Sequence, residues 1–134
     1  MKKLLLALIL LISINSYAQE ENVEYYDIQS VSYKIGMNKK EIIWSDWYKT
    51  EWSVRIDYYK EQQTITIIKE ESDFYVIESY VDSSYYNDFT IYQFIANDRL
   101  DNKVTIEFMI PDSKDGFFIV ITDKKNNIIM YKIK

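Results

Sequence analysis

The chain has 134 residues, 16 basic and 21 acidic, and contains neither histidine nor cysteine. Those two absences exclude disulfides, thiol nucleophiles, thiolate or imidazole metal sites and any Ser-His-Asp triad. The acidic balance sets phosphate backbones and anionic lipid surfaces against the chain, and no basic run exceeds Lys39-Lys40 or Lys124-Lys125, so nucleic acid is not an expected partner.

Residues 1–18 read as a signal peptide. Lys2 and Lys3 supply the charged start, Leu4 to Ile12 an unbroken apolar run, and Ser16-Tyr17-Ala18 a small-x-small cleavage site. The apolar run is shorter than the roughly 18 residues that cross a bilayer as a helix. The expectation is a single mature domain, residues 19–134, that is periplasmic or secreted and has no membrane span after cleavage. With Lys2 and Lys3 gone, 14 basic residues face 21 acidic ones, a net charge of −7.

Strands follow one another from there. The segment from Glu20 to Ile35 alternates at Val31, Tyr33 and Ile35 and ends at Gly36. Glu41–Trp47 and Trp52–Tyr59 read as the second and third strands. Taken as one strand, Glu41–Tyr59 would run about 60 Å at ~3.3 Å per residue, so a bend near Tyr48-Lys49-Thr50 is required. Thr64–Lys69, Phe74–Val81 and Phe89–Ala96 are the next three, with Asp82–Asp88 as a loop. Val104–Ile110 ends at Pro111, and Phe117–Thr122 and Ile128–Ile133 close the chain. Polar breaks at Glu70–Asp73, Asn97–Asn102, Asp112–Gly116 and Asp123–Asn127 have the Asp, Asn and Gly content of turns.

About eight to nine short strands with short connections predict an all-β, single antiparallel meander. A small barrel of the lipocalin-like kind is favoured over a sandwich, because closure removes exposed edges. The aromatic residues, thirteen tyrosines among them, supply the volume of the core.

With the strands placed, Trp44-Ser45-Asp46-Trp47, Val54-Arg55-Ile56-Asp57 and Thr64-Ile65-Thr66-Ile67 resemble a pattern in small, uncharacterised, exported bacterial proteins. Tyr75-Val76-Ile77, Asp98 and Tyr131-Lys132-Ile133 match the later parts of that pattern. A glycine common after the aspartate is replaced here by Arg99. The resemblance implies one all-β domain and carries over no functional residue.

Chemistry-bearing clusters are few. Asp57 and Glu107 sit between apolar neighbours, as outward strand residues do, and give no sign of a raised pKa; no catalytic residue, metal ligand or cofactor follows from them. Asp112-Ser113-Lys114-Asp115-Gly116 has the outline of a calcium loop but a lysine at its third position, and reads as a turn. Trp52 shares the parity of Val54, Ile56 and Tyr58 and is expected in the core. The tyrosine pairs Tyr25-Tyr26, Tyr58-Tyr59 and Tyr85-Tyr86 are each expected to put one ring inside and one outside. Trp44 and Trp47 are the candidates for a binding platform.

In the last two strands the alternation fails, since Phe118, Val120 and Met130 make the second face apolar too. These three are expected to form an outer contact patch. The function expected is a non-catalytic exported domain that binds a small apolar or sugar ligand, or a protein partner, through an aromatic-rich cavity or face. A structural or interaction protein of the envelope is the alternative.

Overall fold

The computed structural model describes residues 22–34, 46–59 and 62–134. The expected signal peptide, Trp44 and most of the expected second strand lie outside them. Nine strands form one antiparallel sheet: β1 (Asn22–Lys34), β2 (Tyr48–Lys49), β3 (Ser53–Tyr59), β4 (Gln62–Ile68), β5 (Asp73–Tyr86), β6 (Phe89–Asp98), β7 (Lys103–Pro111), β8 (Phe117–Thr122) and β9 (Ile128–Ile133). From β3 onward each strand pairs with the next in sequence, and β9 returns to β1. The result is an eight-stranded closed barrel with β2 as an extra strand.

β1 manages closure by dividing its length. Asn22 to Asp27 pair with β3, and Ile28 to Lys34 pair with β9, with a register shift between Ile28 and Ser30. On the other edge, Ser30 and Val31 pair with β2. Between β2 and β3 the backbone stays tied to β1, through Ile28 N to Trp52 O and Thr50 N to Gln29 O. Thr50 to Trp52 stand there against only two residues of β1, Ile28 and Gln29, so the irregularity is a bulge at Thr50–Trp52. Tyr48 and Lys49, which were expected to supply a bend, are the paired residues just before it.

Period-two patterning decides what faces inward. Val54, Ile56 and Tyr58 of β3, Ile65 and Ile67 of β4, and Ile106 and Phe108 of β7 are each at most 1% exposed. Phe94 meets Phe108 edge-on at 5.8 Å, and Tyr26 meets Phe117 at 5.2 Å. An eight-stranded barrel has an interior just wide enough for side chains to fill, and these rings fill it. Outward positions are largely polar, with Arg55 and Asp57 paired at 2.9 Å, Thr66 and Thr64 opposite them on β4, and Thr105 on β7. A polar outside over an apolar inside is the reverse of a membrane-spanning barrel.

Turn chemistry is local and repeated. Asp98 Oδ1 accepts the N–H groups of Leu100 and Asn102, and Asp123 Oδ1 accepts those of Lys125 and Asn127. Asp101 and Asn126 take matching positive φ values of 64° and 61°. The two sequences, Asp98-Arg-Leu-Asp-Asn102 and Asp123-Lys-Lys-Asn-Asn127, are thus one turn used twice. Asn87 and Asp88, at φ 49° and 65°, form the two-residue turn that suits the twist of a hairpin.

That turn corrects one expectation. Asp82–Tyr86 is no loop: β5 runs on to Tyr86, and the β5–β6 hairpin extends as an arm beyond the point where β4 stops pairing. Register shifts at Ile77/Ser79 and Tyr80/Asp82 let this exposed, polar stretch twist away while still paired to β6.

Candidate functional site

Outward-facing rows cross β6 to β9 at fixed register, and three of them matter. One row sets Tyr86 opposite Phe89 and Phe89 opposite Pro111; the next sets Ile91 opposite Met109 and Met109 opposite Phe118. The Phe89 ring lies 5.8 Å from Phe118, and Trp47 lies 6.1 Å from Phe118 on the other side. Trp47 is 46% exposed and Tyr86 66%. Tyr86, Phe89, Phe118 and Trp47 thereby make an aromatic strip on the outside of the barrel.

The third row runs Gln93, Glu107, Val120, Met130 and Ser32. It is covered: Val120 is 6% exposed and Ser32 2%. Burial pushes the Glu107 carboxyl above its ordinary value. Phe118, Val120 and Met130 do share the outer face and adjoin one another, as expected. Val120, however, is shielded by its own chain and offers no contact surface, and Glu107 is not the freely solvated carboxylate its sequence setting implied. Trp44 lies outside the described residues. Trp47 of the expected platform and Phe118 of the expected patch come together.

Phe89 was missed by sequence reasoning, and Tyr86 was considered only as half of a tyrosine pair. The signal for Phe89 was present, because Phe89-Thr-Ile91-Tyr-Gln-Phe94-Ile95-Ala96 is apolar on both faces, the same failure of alternation noted in Phe117–Thr122. Tyr86 was hidden by the assignment of its segment to a loop. The pairing rule for tyrosines holds at Tyr25-Tyr26, where Tyr25 is 60% exposed and Tyr26 packs on the core, and fails at Tyr85-Tyr86, where both rings are outside.

Two other places gather polar and aromatic side chains. At the end of the barrel where β4 turns into β5, an open depression of about 1050 Å³ is lined by Trp52, Lys69, Asp73, Tyr75, Asp98 and Arg99. Trp52 packs against the core from the rim and is only part-buried. Lys69 covers its ring at 5.1 Å and is itself held by Asp73 at 2.8 Å. The indole face is therefore occupied from within, and it is not a free stacking platform. Asp98 spends its carboxylate on the turn. Among the described residues no group of three or more acidic side chains is placed to hold a metal ion.

At the opposite end, the inward face of β1, β3 and β4 is polar. Tyr26 donates to Glu24 Oε2 at 2.7 Å, and burial first, then the Glu24 charge, pushes the Tyr58 phenol up. Gln63 stands opposite Tyr58, and the Tyr58 hydroxyl and Gln63 Oε1 are buried without a hydrogen-bond partner. At the tip of the arm, Tyr85 donates to Asp112 Oδ2, and that bond above all raises its phenol to about 12.

Comparison with protein-family models, curated proteins and solved structures finds no match to this chain. Its site therefore has to be read from its own geometry.

Proposed function

We propose that this chain is an exported, non-catalytic binding domain whose recognition surface is the aromatic strip of Trp47, Phe118, Phe89 and Tyr86, and whose partner is another protein of the envelope or the extracellular space. The observation that carries this reading is the placement of large rings on the outside of a barrel whose inside is already filled. A lumen packed by Phe94, Phe108, Phe117 and Tyr131 leaves little room for the apolar ligand that small barrels hold elsewhere. Rings with a polar rim are what protein interfaces are enriched in, and tyrosine and tryptophan carry most of the binding energy there. Residues 1–18 support export, and the polar outer faces of β3 and β4 support a domain that works in water.

The test places a photoreactive amino acid at position 47 and irradiates cells that produce the protein. A discrete cross-linked adduct is expected at position 47, absent at the remote position Lys124 and lost when Phe118→Ser is added. Adducts of equal yield at both positions, or an adduct indifferent to Phe118→Ser, would sink the proposal. Intact mass of the recovered protein checks export, with a start at Gln19 expected.

A further inference from the structure

β5 outruns its neighbour on one side. Pairing with β4 covers Asp73 to Val76, whereas pairing with β6 continues to Tyr86. From Ser79 to Tyr86 one edge of β5 therefore faces no strand among the described residues. The far edge of β6 is sealed by β7 as far as Phe89 opposite Pro111. Closure into a barrel, expected to remove all edges, leaves this one open.

The register says which backbone groups it offers. In a two-residue hairpin the flanking pair, here Tyr86 and Phe89, exchanges both its hydrogen bonds, and alternate pairs beyond it do the same. Ser83 and Tyr85 fall between, so their N–H and C=O groups point to the open side. Ser83 shows it directly: its N–H donates to Asp82 Oδ1 at 2.7 Å, a partner from its own chain that an incoming carbonyl can replace. The bulges at Ile77/Ser79 and Tyr80/Asp82 break the edge above, leaving Asp82 to Tyr86 as the regular part.

Charge selects the occupant. Asp82, Asp88, Asp112 and Asp115 are exposed on and around the tip, with Lys114 as the nearest cation in sequence and Lys103 engaged by Glu78. Exposed Tyr85 and Tyr86 rings flank the same edge. An extended segment carrying lysine or arginine would satisfy the backbone groups, neutralise the carboxylates and lay its cations on the tyrosine faces. A second copy of this edge would instead bring acids against acids, which is destabilising across a strand pair.

We infer that the open edge of β5 at Asp82–Tyr86 is a docking site for an extended, cationic polypeptide segment, which joins the sheet as an added strand. The inference stands on the open backbone edge and shares only Tyr86 with the aromatic strip. Ser83→Pro alters the edge and leaves Trp47 and Phe118 in place, so the two readings fail separately.

The test uses the mature chain and a fluorescent peptide, acetyl-Lys-Thr-Val-Lys-Val-Thr-Lys-amide, followed by anisotropy. Two control peptides accompany it, one with Glu for Lys and one N-methylated at alternate amides. The Lys peptide is expected to bind with a Kd of about 100 μM or tighter at ~0.1 M salt, and the Glu peptide not at all. N-methylation is expected to weaken binding about tenfold or more, because it removes the strand hydrogen bonds. Ser83→Pro removes an outward N–H without touching the β6 ladder and is expected to do the same. Should that variant melt early, the surface charge reversals Asp82→Lys and Asp88→Lys serve instead, with the same loss expected. No binding by the Lys peptide would overturn the inference, as would equal binding by its N-methylated form, which would mean charge alone. A concentration-dependent dimer that disappears in Ser83→Pro would assign the edge to a second copy, and would overturn it too.

Discussion

The β8–β9 hairpin and the β5–β6 arm are built from the same alternation and end in opposite situations. β8 and β9 are six residues each, lie between β7 and β1, and carry apolar side chains on both faces. The arm is longer, has one edge paired and one open, and turns exposed tyrosines and carboxylates outward. What separates them is the number of neighbours. A strand flanked on both edges buries its inward face in the core whatever its turn looks like. A strand that outlasts its neighbour keeps its backbone available.

The sharpest way to break this comparison is to truncate a ring in each. Phe117 is 2% exposed and meets Tyr26, so Phe117→Ala is expected to cost about 3–5 kcal/mol in urea unfolding. Tyr86→Ala, at the arm tip, is expected to change stability by about 0.5 kcal/mol or less. Equal losses would mean that the arm is part of the core after all.

The turns sharpen it further. Gly116, at φ +71°, leads into β8, and a Cβ there would stand 2.5 Å from the Ile133 carbonyl oxygen. Both the conformation and the close approach oppose a side chain, so Gly116→Ala is expected to cost about 1–3 kcal/mol. Asn87→Gly in the arm turn, where φ is already positive, is expected to stay within about 0.5 kcal/mol. Thermal melts of the pair decide it; a neutral Gly116→Ala would show that the turn relaxes freely.

The smallest effect belongs to Glu107, which faces Val120 across the β7–β8 pair. Burial holds its carboxyl above the ordinary carboxylate range. The folded state therefore binds the proton more tightly than the unfolded chain. This group's contribution to stability is greatest at acid pH, where both states hold the proton, and falls as pH rises through the folded value. Glu107→Gln is expected to raise stability at pH 7 by no more than about 1 kcal/mol, given the solvent that still screens the group, and to make no difference at pH 3. A gain that persists at pH 3 would point to packing and not to charge.

Much of the fold was legible because period-two patterning is a local signal. Phe117–Thr122 and Ile128–Ile133 were bounded correctly, since each is flanked by Asp, Asn or Gly that turns need. The arm was not legible for the converse reason. Asp82-Ser-Ser-Tyr-Tyr86 has the composition of a loop, and only its pairing with Phe89–Gln93 makes it a strand. Composition reports burial, and this strand is unburied. The site was half legible: Phe118 stood out by breaking the alternation, whereas its contact with Trp47 and Phe89 depends on which strands closure makes adjacent. Val120 shows the limit, because an apolar residue on the outer face looks the same in sequence whether or not its own chain covers it.

The divided pairing of β1 has a kinetic consequence. From β3 to β9 every strand meets its successor in sequence, so those contacts close short loops and form early. The β1–β9 seam instead joins residues about a hundred positions apart, and its loop-closure entropy is met only once the rest of the meander stands. The seam is then the last part of the barrel to zip and the first to open. Val31→Ala, on the seam opposite Tyr131, should speed unfolding and leave the refolding rate nearly unchanged, whereas Ile106→Ala, inside the meander, should slow refolding. In this barrel the stitch that completes the ring sets how long the native state lasts, not how fast it is reached.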